Sequence, residues 1–315
     1  MERVICCVCE KPIEGKVFKI GNRPYGADCY AKVARNRRGL WWASLIGIGA
    51  LVLFVATVAL IARATKPHLE GTPLVLVSLL LALVPALIWL AFFYIQDARE
   101  PEPKALVLAV FLLGALLARA VGIPIINDLF HTSSWFSAGP LFHILGAILI
   151  VGFTQQFLVF AAVRYTVYYS KEFDERVDGI VYATAAALGY ATMVNVQYIL
   201  ESGGVDLASG IFRIAVTAMA LASFGGLVGF FLGRCKFEDE PLWWMPAGLA
   251  LAAVLDGLFT YFRGEITSTP ISLKGGGYNP WLSLILGTVV AGLTFAVLFL
   301  LLRRLERRAS QSAGA

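Results

Sequence analysis

Eight apolar runs of about 20 residues fill this chain from Leu40 onward. A helix rises 1.5 Å per residue, so each run is long enough to cross roughly 30 Å of hydrocarbon. The spans read as 40–62, 73–95, 105–126, 138–163, 179–200, 211–233, 241–262 and 281–302. The expected fold is an all-α polytopic membrane protein with eight transmembrane helices. Composition agrees, at 58% hydrophobic residues and a mean hydropathy of +0.75, where a soluble domain sits near 45–50% apolar. The first 39 residues are polar and offer no signal-peptide pattern, so the first span is expected to persist in the mature protein.

Basic residues set the expected orientation, because Lys and Arg are retained on the cytoplasmic side. With the N-terminus inside, 20 of the 26 Lys and Arg residues fall on that side. Only Arg63, Lys66, Arg263 and Lys274 fall on the other, and Arg119 and Arg213 lie within spans. This asymmetry predicts both termini in the cytoplasm of a prokaryotic cytoplasmic membrane. It also accounts for the net charge of +5 without nucleic acid; the basic residues mark the inner face and contact anionic lipid.

Three regions follow: a head over 1–39, a membrane domain over 40–302 and a basic tail over 303–315. The head carries four of the five cysteines. Cys6 and Cys9 have zinc-knuckle spacing, since a tight turn lets both thiolates face one tetrahedral ion. With Cys29, and Cys7 or Asp28 as a fourth ligand, they form a candidate zinc site. The segment Tyr25-Gly26-Ala27-Asp28-Cys29-Tyr30 resembles half of a LIM-type finger, in which a histidine would occupy the position of Gly26. Glycine cannot bind metal, so a finger remnant held by packing stands beside the zinc reading. A disulfide is not expected in a reducing cytosol. The head is a candidate surface for a cytoplasmic protein partner.

Two strings in the membrane domain are distinctive. Asp97-Ala98-Arg99-Glu100-Pro101-Glu102-Pro103 follows the second span, where alternating prolines stop the helix and stiffen the turn. Glu172-Phe173-Asp174-Glu175-Arg176-Val177-Asp178-Gly179-Ile180-Val181-Tyr182 follows the fourth. Acidic residues before a helix suit its positive N-terminal end, so capping explains part of this cluster. Together the strings closely resemble the PrsW family of intramembrane proteases, relatives of the CAAX prenyl-protease group. Arg176 departs from the resemblance, standing where that family usually has proline.

The resemblance implies a hydrolytic site built from spans four to seven. It implies an acidic pair with a nearby basic residue on the fourth span, a Glu-Asn pair on the fifth, and a histidine on each of the sixth and seventh. These would hold a metal or polarise a water against a peptide bond. This chain has Gln155 and Gln156 at the acidic pair, and an apolar residue at or near Val159 for the basic one. It has Val194 before Asn195, Leu221 for the first histidine and Asp256 for the last. An amide keeps the size of a carboxylate but exchanges no proton near neutral pH, and valine and leucine do neither job. One carboxylate makes a poor metal site, so no metal is expected within the membrane.

Buried ionisable residues seek partners. Arg119 and Asp256 lie at similar depth from the outer side, which predicts an ion pair between them, with Arg213 as the substitute. Gln155, Gln156, Asn195 and Gln197 read either as inter-helix hydrogen-bonding groups or as remains of a client cleft. His143 is too far along the fourth span from Gln155 to share a site and reads as a satisfied buried histidine. Gly225, Gly229 and Gly233 form a close-packing stripe expected to face the interior.

The function expected is therefore a catalytically degenerate intramembrane protease that binds single-span membrane clients. An active endopeptidase, cutting membrane-anchored regulators such as anti-sigma factors, is the second reading. A small-solute carrier is the third, although no inverted-repeat pattern supports it.

Overall fold

The computed structural model describes residues 4–6, 11–13, 15–20, 23–30, 37–65, 70–96, 102–201 and 207–268, together with helical residues between 285 and 300. With no water to satisfy backbone groups in hydrocarbon, the apolar runs close their hydrogen bonds internally as helices. Six helices among the described residues are long and apolar enough to cross a membrane: Gly71–Tyr94, Lys104–Leu129, Pro140–Arg164, Arg176–Glu201, Gly210–Phe237 and Trp244–Phe262. They correspond to the predicted second to seventh spans, and this is an integral multi-pass membrane protein. The predicted first span falls within helix α1 (Arg37–Thr65), whose stretch Gly49–Thr65 is apolar but shorter than those six. The eighth predicted span lies largely, and the tail wholly, outside the described residues.

Helix α2 (Gly71–Gln96) forms the second span. The third is α3 (Lys104–Leu117), which starts directly after Pro103 and continues through π-helical stretches Ala118–Gly122 and Ile125–Leu129. A short helix α4 (Thr132–Ser137) follows His131, whose φ of 46° makes the left-handed turn between them. The fourth span is compound: α5 (Pro140–Leu145), a π-helical stretch Gly146–Gly152, then α6 (Phe153–Arg164). Spans five, six and seven are α7 (Arg176–Glu201), α8 (Leu207–Phe237) and α9 (Trp244–Ser268).

Spans five and six are the most enclosed, and small residues bring them together. A Cβ on Gly229 would run into the backbone of Gly179, and one on Gly179 into Gly229 O. Gly233 lies against Arg176 O, and Gly225 against Ala183 and Ala187. The glycine stripe therefore faces inward, as its spacing predicted. Ala183, Ala185, Ala186 and Ala187 are fully buried on α7. Without a hydrophobic drive between helices in lipid, close backbone packing of this kind supplies the association.

Two further seams frame the site. Gly114 meets Ala186 O, and Gly189 meets Phe111 O, joining spans three and five. Gly152 meets Ala253 O, and Gly257 meets Ile148, joining spans four and seven.

The head contains the antiparallel hairpin β1 (Phe18–Ile20) and β2 (Arg23–Tyr25), with Phe18 paired to Tyr25. Cys6 is buried and its sulfur accepts the Gly26 N–H at 3.4 Å. Cys7 and Cys9 lie outside the described residues.

Candidate functional site

Polar side chains gather at two levels of the bundle. The first lies in the membrane interior, where spans four to seven meet. Gln156 and Asp256 are both fully buried, and Gln156 Nε2 donates to Asp256 Oδ2 at 2.8 Å. Gln156 Oε1 finds no hydrogen-bond partner among the described residues, and neither does the buried Tyr190 hydroxyl. Tyr190 projects from α7 within Coulombic reach of Asp256. Tyr190 belongs to a small apolar cluster with Leu158 and Leu221, against which Val121 and Val194 pack. Val194 and Leu221, where the family resemblance asks for an acid and a histidine, thus line one greasy patch beside the polar pair.

Asn195 is buried and donates through Nδ2 to Ile214 O at 3.0 Å. It ties the fifth span to the sixth. Gln155 is also buried. Gln197 bonds Glu201 one turn on, at an exposed position.

Among the described residues no ion pair joins Arg119 to Asp256. Arg119 is exposed on its π-helical stretch, whereas Asp256 receives the Gln156 amide. Similar depth along two helices says nothing about which way each side chain points, and the third span turns Arg119 to the surface. Arg213, the substitute, stacks on Tyr198 with its guanidinium 3.8 Å from the ring centre. His143 packs between the rings of Phe136 and Tyr261, at 4.3 and 4.9 Å, near the far end of the bundle.

The second level lies at the end of the bundle where both distinctive strings converge. Glu102, Asp174 and Asp178 each bring a carboxylate oxygen within 4.8 Å of the others. Glu102 and Asp178 are buried. Tyr182, one turn beyond Asp178 on α7, donates its hydroxyl to Glu102 Oε2, while Tyr94 from the second span donates to Glu102 O at 3.0 Å. The Glu175 N–H donates to Asp178 Oδ2 at 2.6 Å, closing the N-terminal turn of α7. Burial raises Glu102 above its usual 4.5; bonds from Tyr182 and with Asp178 oppose the rise, and the charges of Asp174 and Glu172 add to it. Asp97 and Glu100 lie outside the described residues.

A lysine organises the loop that delivers Asp174. Lys236 Nζ donates to Tyr168 O and Phe173 O, each at 2.6 Å, with its charge 4.7 Å from the Phe173 ring centre. Beside it Arg234 bonds Glu238 at 2.6 Å, and Arg176 bonds Glu238 at 3.0 Å. Basic residues in the last turn of α8 also suit the negative end of that helix. Tyr182, Tyr190 and Lys236 were not singled out as site residues from sequence. Tyr182 could have been, since it closes the second distinctive string.

Six apolar spans, four of which meet around a polar pair, define an integral multi-pass membrane protein. Residues 102–275 match the family described as PrsW family intramembrane metalloprotease, and this chain belongs to that family. Similar proteins include Protease PrsW of Halalkalibacterium halodurans, 31% identical over 179 residues covering 56% of this chain and 79% of that protein. Protease PrsW of Geobacillus kaustophilus is 31% identical over 178 residues, covering 56% and 75%. Protease PrsW of Bacillus subtilis is 28% identical over 188 residues, covering 59% and 82%. No solved structure matches.

The family description implies a metal, and the donors decide where one fits. In the membrane interior the candidate ligands around the pair are one carboxylate, the amides of Gln155, Gln156 and Asn195, and a tyrosine hydroxyl, while the Thr192 and Ser223 hydroxyls bond carbonyls of their own helices. Neutral amide oxygens are weak ligands, and the amide nitrogens of Gln156 and Asn195 carry protons that they donate to Asp256 and Ile214 O. That set does not suit a catalytic metal, which needs three or more basic nitrogen, sulfur or carboxylate ligands. Glu102, Asp174 and Asp178 do offer hard oxygen donors of the kind magnesium or calcium takes. Asp178 and Tyr190 are twelve residues apart on α7, about 18 Å along its axis. An ion at the carboxylates could not reach the interior pair.

Proposed function

We propose that this chain is a catalytically degenerate member of its family, a membrane protein that binds membrane-anchored clients without cutting them. The observation that carries the reading is the bond from Gln156 to Asp256. A hydrolase needs a group that takes a proton from water and returns it to the leaving nitrogen. The glutamine amide does neither near neutral pH. Leu221 and Val194 add only apolar surface beside it. Asp256 is left as the one carboxyl at this level among the described residues, and its Oδ2 is engaged by the amide. The client class follows from the setting: single-span proteins are the clients a membrane bundle of this kind meets.

The head extends this reading. Cys6, Cys9 and Cys29, with Cys7 or Asp28, would hold zinc and present a surface to a cytoplasmic partner. The N–H of Gly26 directed at Cys6 Sγ is the kind of second contact that steadies a thiolate ligand. Zinc content of the purified protein, compared with a Cys6→Ser and Cys29→Ser double variant, tests this part.

The test of the main reading is cleavage in liposomes. The full chain is reconstituted with a panel of single-span peptides and sampled for products. No product is expected, whereas co-purification of a client from native membranes is. Cleavage that is abolished by Asp256→Asn would establish the working endopeptidase instead.

A further inference from the structure

We infer that the Gln156–Asp256 hydrogen bond is a clasp holding the fourth and seventh spans together without a metal. The family description implies a metal, and the interior donors of this chain do not suit one. The same residues instead bond each other directly at 2.8 Å, both completely buried.

The surroundings make this bond mechanical as well as chemical. Gly152 lies four residues before Gln156 and so on the same face of the fourth span. A Cβ at Gly152 would meet Ala253 O and come within 2.8 Å of Gly257 N. A Cβ at Gly257 would come within 2.7 Å of Ala147 O. The two spans therefore run backbone to backbone for about a turn and a half, and Gln156, one turn beyond Gly152, reaches back to Asp256 within that contact. In a low-dielectric interior an amide–carboxylate bond is strong, and removing the carboxylate takes away the acceptor of the buried Gln156 amide. The π-helical stretch Gly146–Gly152 lies within this contact. Such π stretches are rare interruptions of α-helices and recur at functional sites; Gln156 bonds Asp256 one turn beyond this one.

The clasp concerns how the spans are held, not whether the protein cleaves, so its failure and that of the proposed function are separable. The experiment is hydrogen exchange on the full chain in lipid nanodiscs, followed by mass spectrometry of peptides covering 146–157 and 252–259. Reading these two segments alone keeps any metal effect in the head out of the measurement. Wild type is expected to exchange slowly, and equally slowly with and without a strong chelator. Asp256→Asn retains an oxygen acceptor for Gln156 Nε2 and should stay within about twofold of wild type, whereas Asp256→Leu should exchange at least about tenfold faster. Should Asp256→Leu fail to fold, Gln156→Met removes the donor with little change in volume and should show the same acceleration. Chelator-induced exchange in wild type would overturn the inference, as a metal would then be the link. So would wild-type protection in Gln156→Met, or loss of protection in Asp256→Asn.

Discussion

The Tyr182 hydroxyl donates to the carboxylate of Glu102, 80 residues earlier in the chain. That bond draws the turn between spans two and three onto the start of the fifth span. Tyr182 is fully buried, so its partner has no route to water on that side. Tyr182→Phe keeps the ring and removes the donor. A loss of about 1–3 kcal/mol is expected, the cost of leaving a buried acceptor unsatisfied. Equilibrium unfolding in mixed micelles checks it; an unchanged midpoint would show that Glu102 finds another donor.

Glu102 also predicts a pH dependence. Burial is the dominant influence and holds its carboxyl above 4.5. A carboxyl raised by folding binds its proton more tightly in the native than in the unfolded state. Its contribution is therefore least costly below the unfolded value, and stability is lost as pH rises through the window up to the native value. Glu102→Gln removes this contribution. Thermal midpoints from about pH 4 to about pH 8 should fall further in wild type than in the variant. A slope unchanged by the substitution counts against it.

Lys236 holds the loop 165–175 by its backbone carbonyls. Lys236→Met keeps most of the stem and loses the donors. The loop should become a protease-sensitive site, with a stability loss of about 1–3 kcal/mol, since hydrogen bonds from a charged donor exceed neutral ones. Limited proteolysis with mapping of the cut site reads this out. Cutting elsewhere first would mean that the loop is held by other contacts.

The seam between spans five and six predicts a sharp positional contrast. Gly229→Leu puts a side chain into the backbone of Gly179 and should cost at least about 1–3 kcal/mol, or prevent folding. Gly47→Ala adds a methyl group where nothing among the described residues lies within 4 Å and should be nearly silent. Expression and monodispersity of the pair give the comparison directly. Equal behaviour would place the seam elsewhere.

Restoring one acid should not restore chemistry. Gln156→Glu recovers a carboxyl but leaves Leu221 and Val194 in their apolar cluster. No peptide cleavage is expected from this variant in liposomes. Turnover by it would show that one residue separates this chain from an active protease.

The six spans were legible because length and apolarity are properties of single helices, and the inward glycine stripe because its period of four repeats on one helix face. The family was legible in two short strings. The partner of Asp256 was not. Matching depths along spans three and seven favoured Arg119, but depth carries no azimuth, and π-helical stretches in spans three and four alter the angle at which later residues project. The sequence reads Gln156 both as an inter-helix hydrogen-bonding group and as a lost base, but it does not say which residue on which helix the amide meets. The convergence of Glu102, Asp174 and Asp178 was likewise hidden, since its members belong to two motifs that only tertiary packing brings together.

The distances between these helices are written in main-chain atoms, at Gly179 with Gly229 and at Gly152 with Gly257. Substituting a functional group at 194 or 221, away from the bond that joins spans four and seven, therefore need not move the scaffold that carries it. Shape and reactivity are encoded at separate addresses, and a lineage can surrender one while inheriting the other intact.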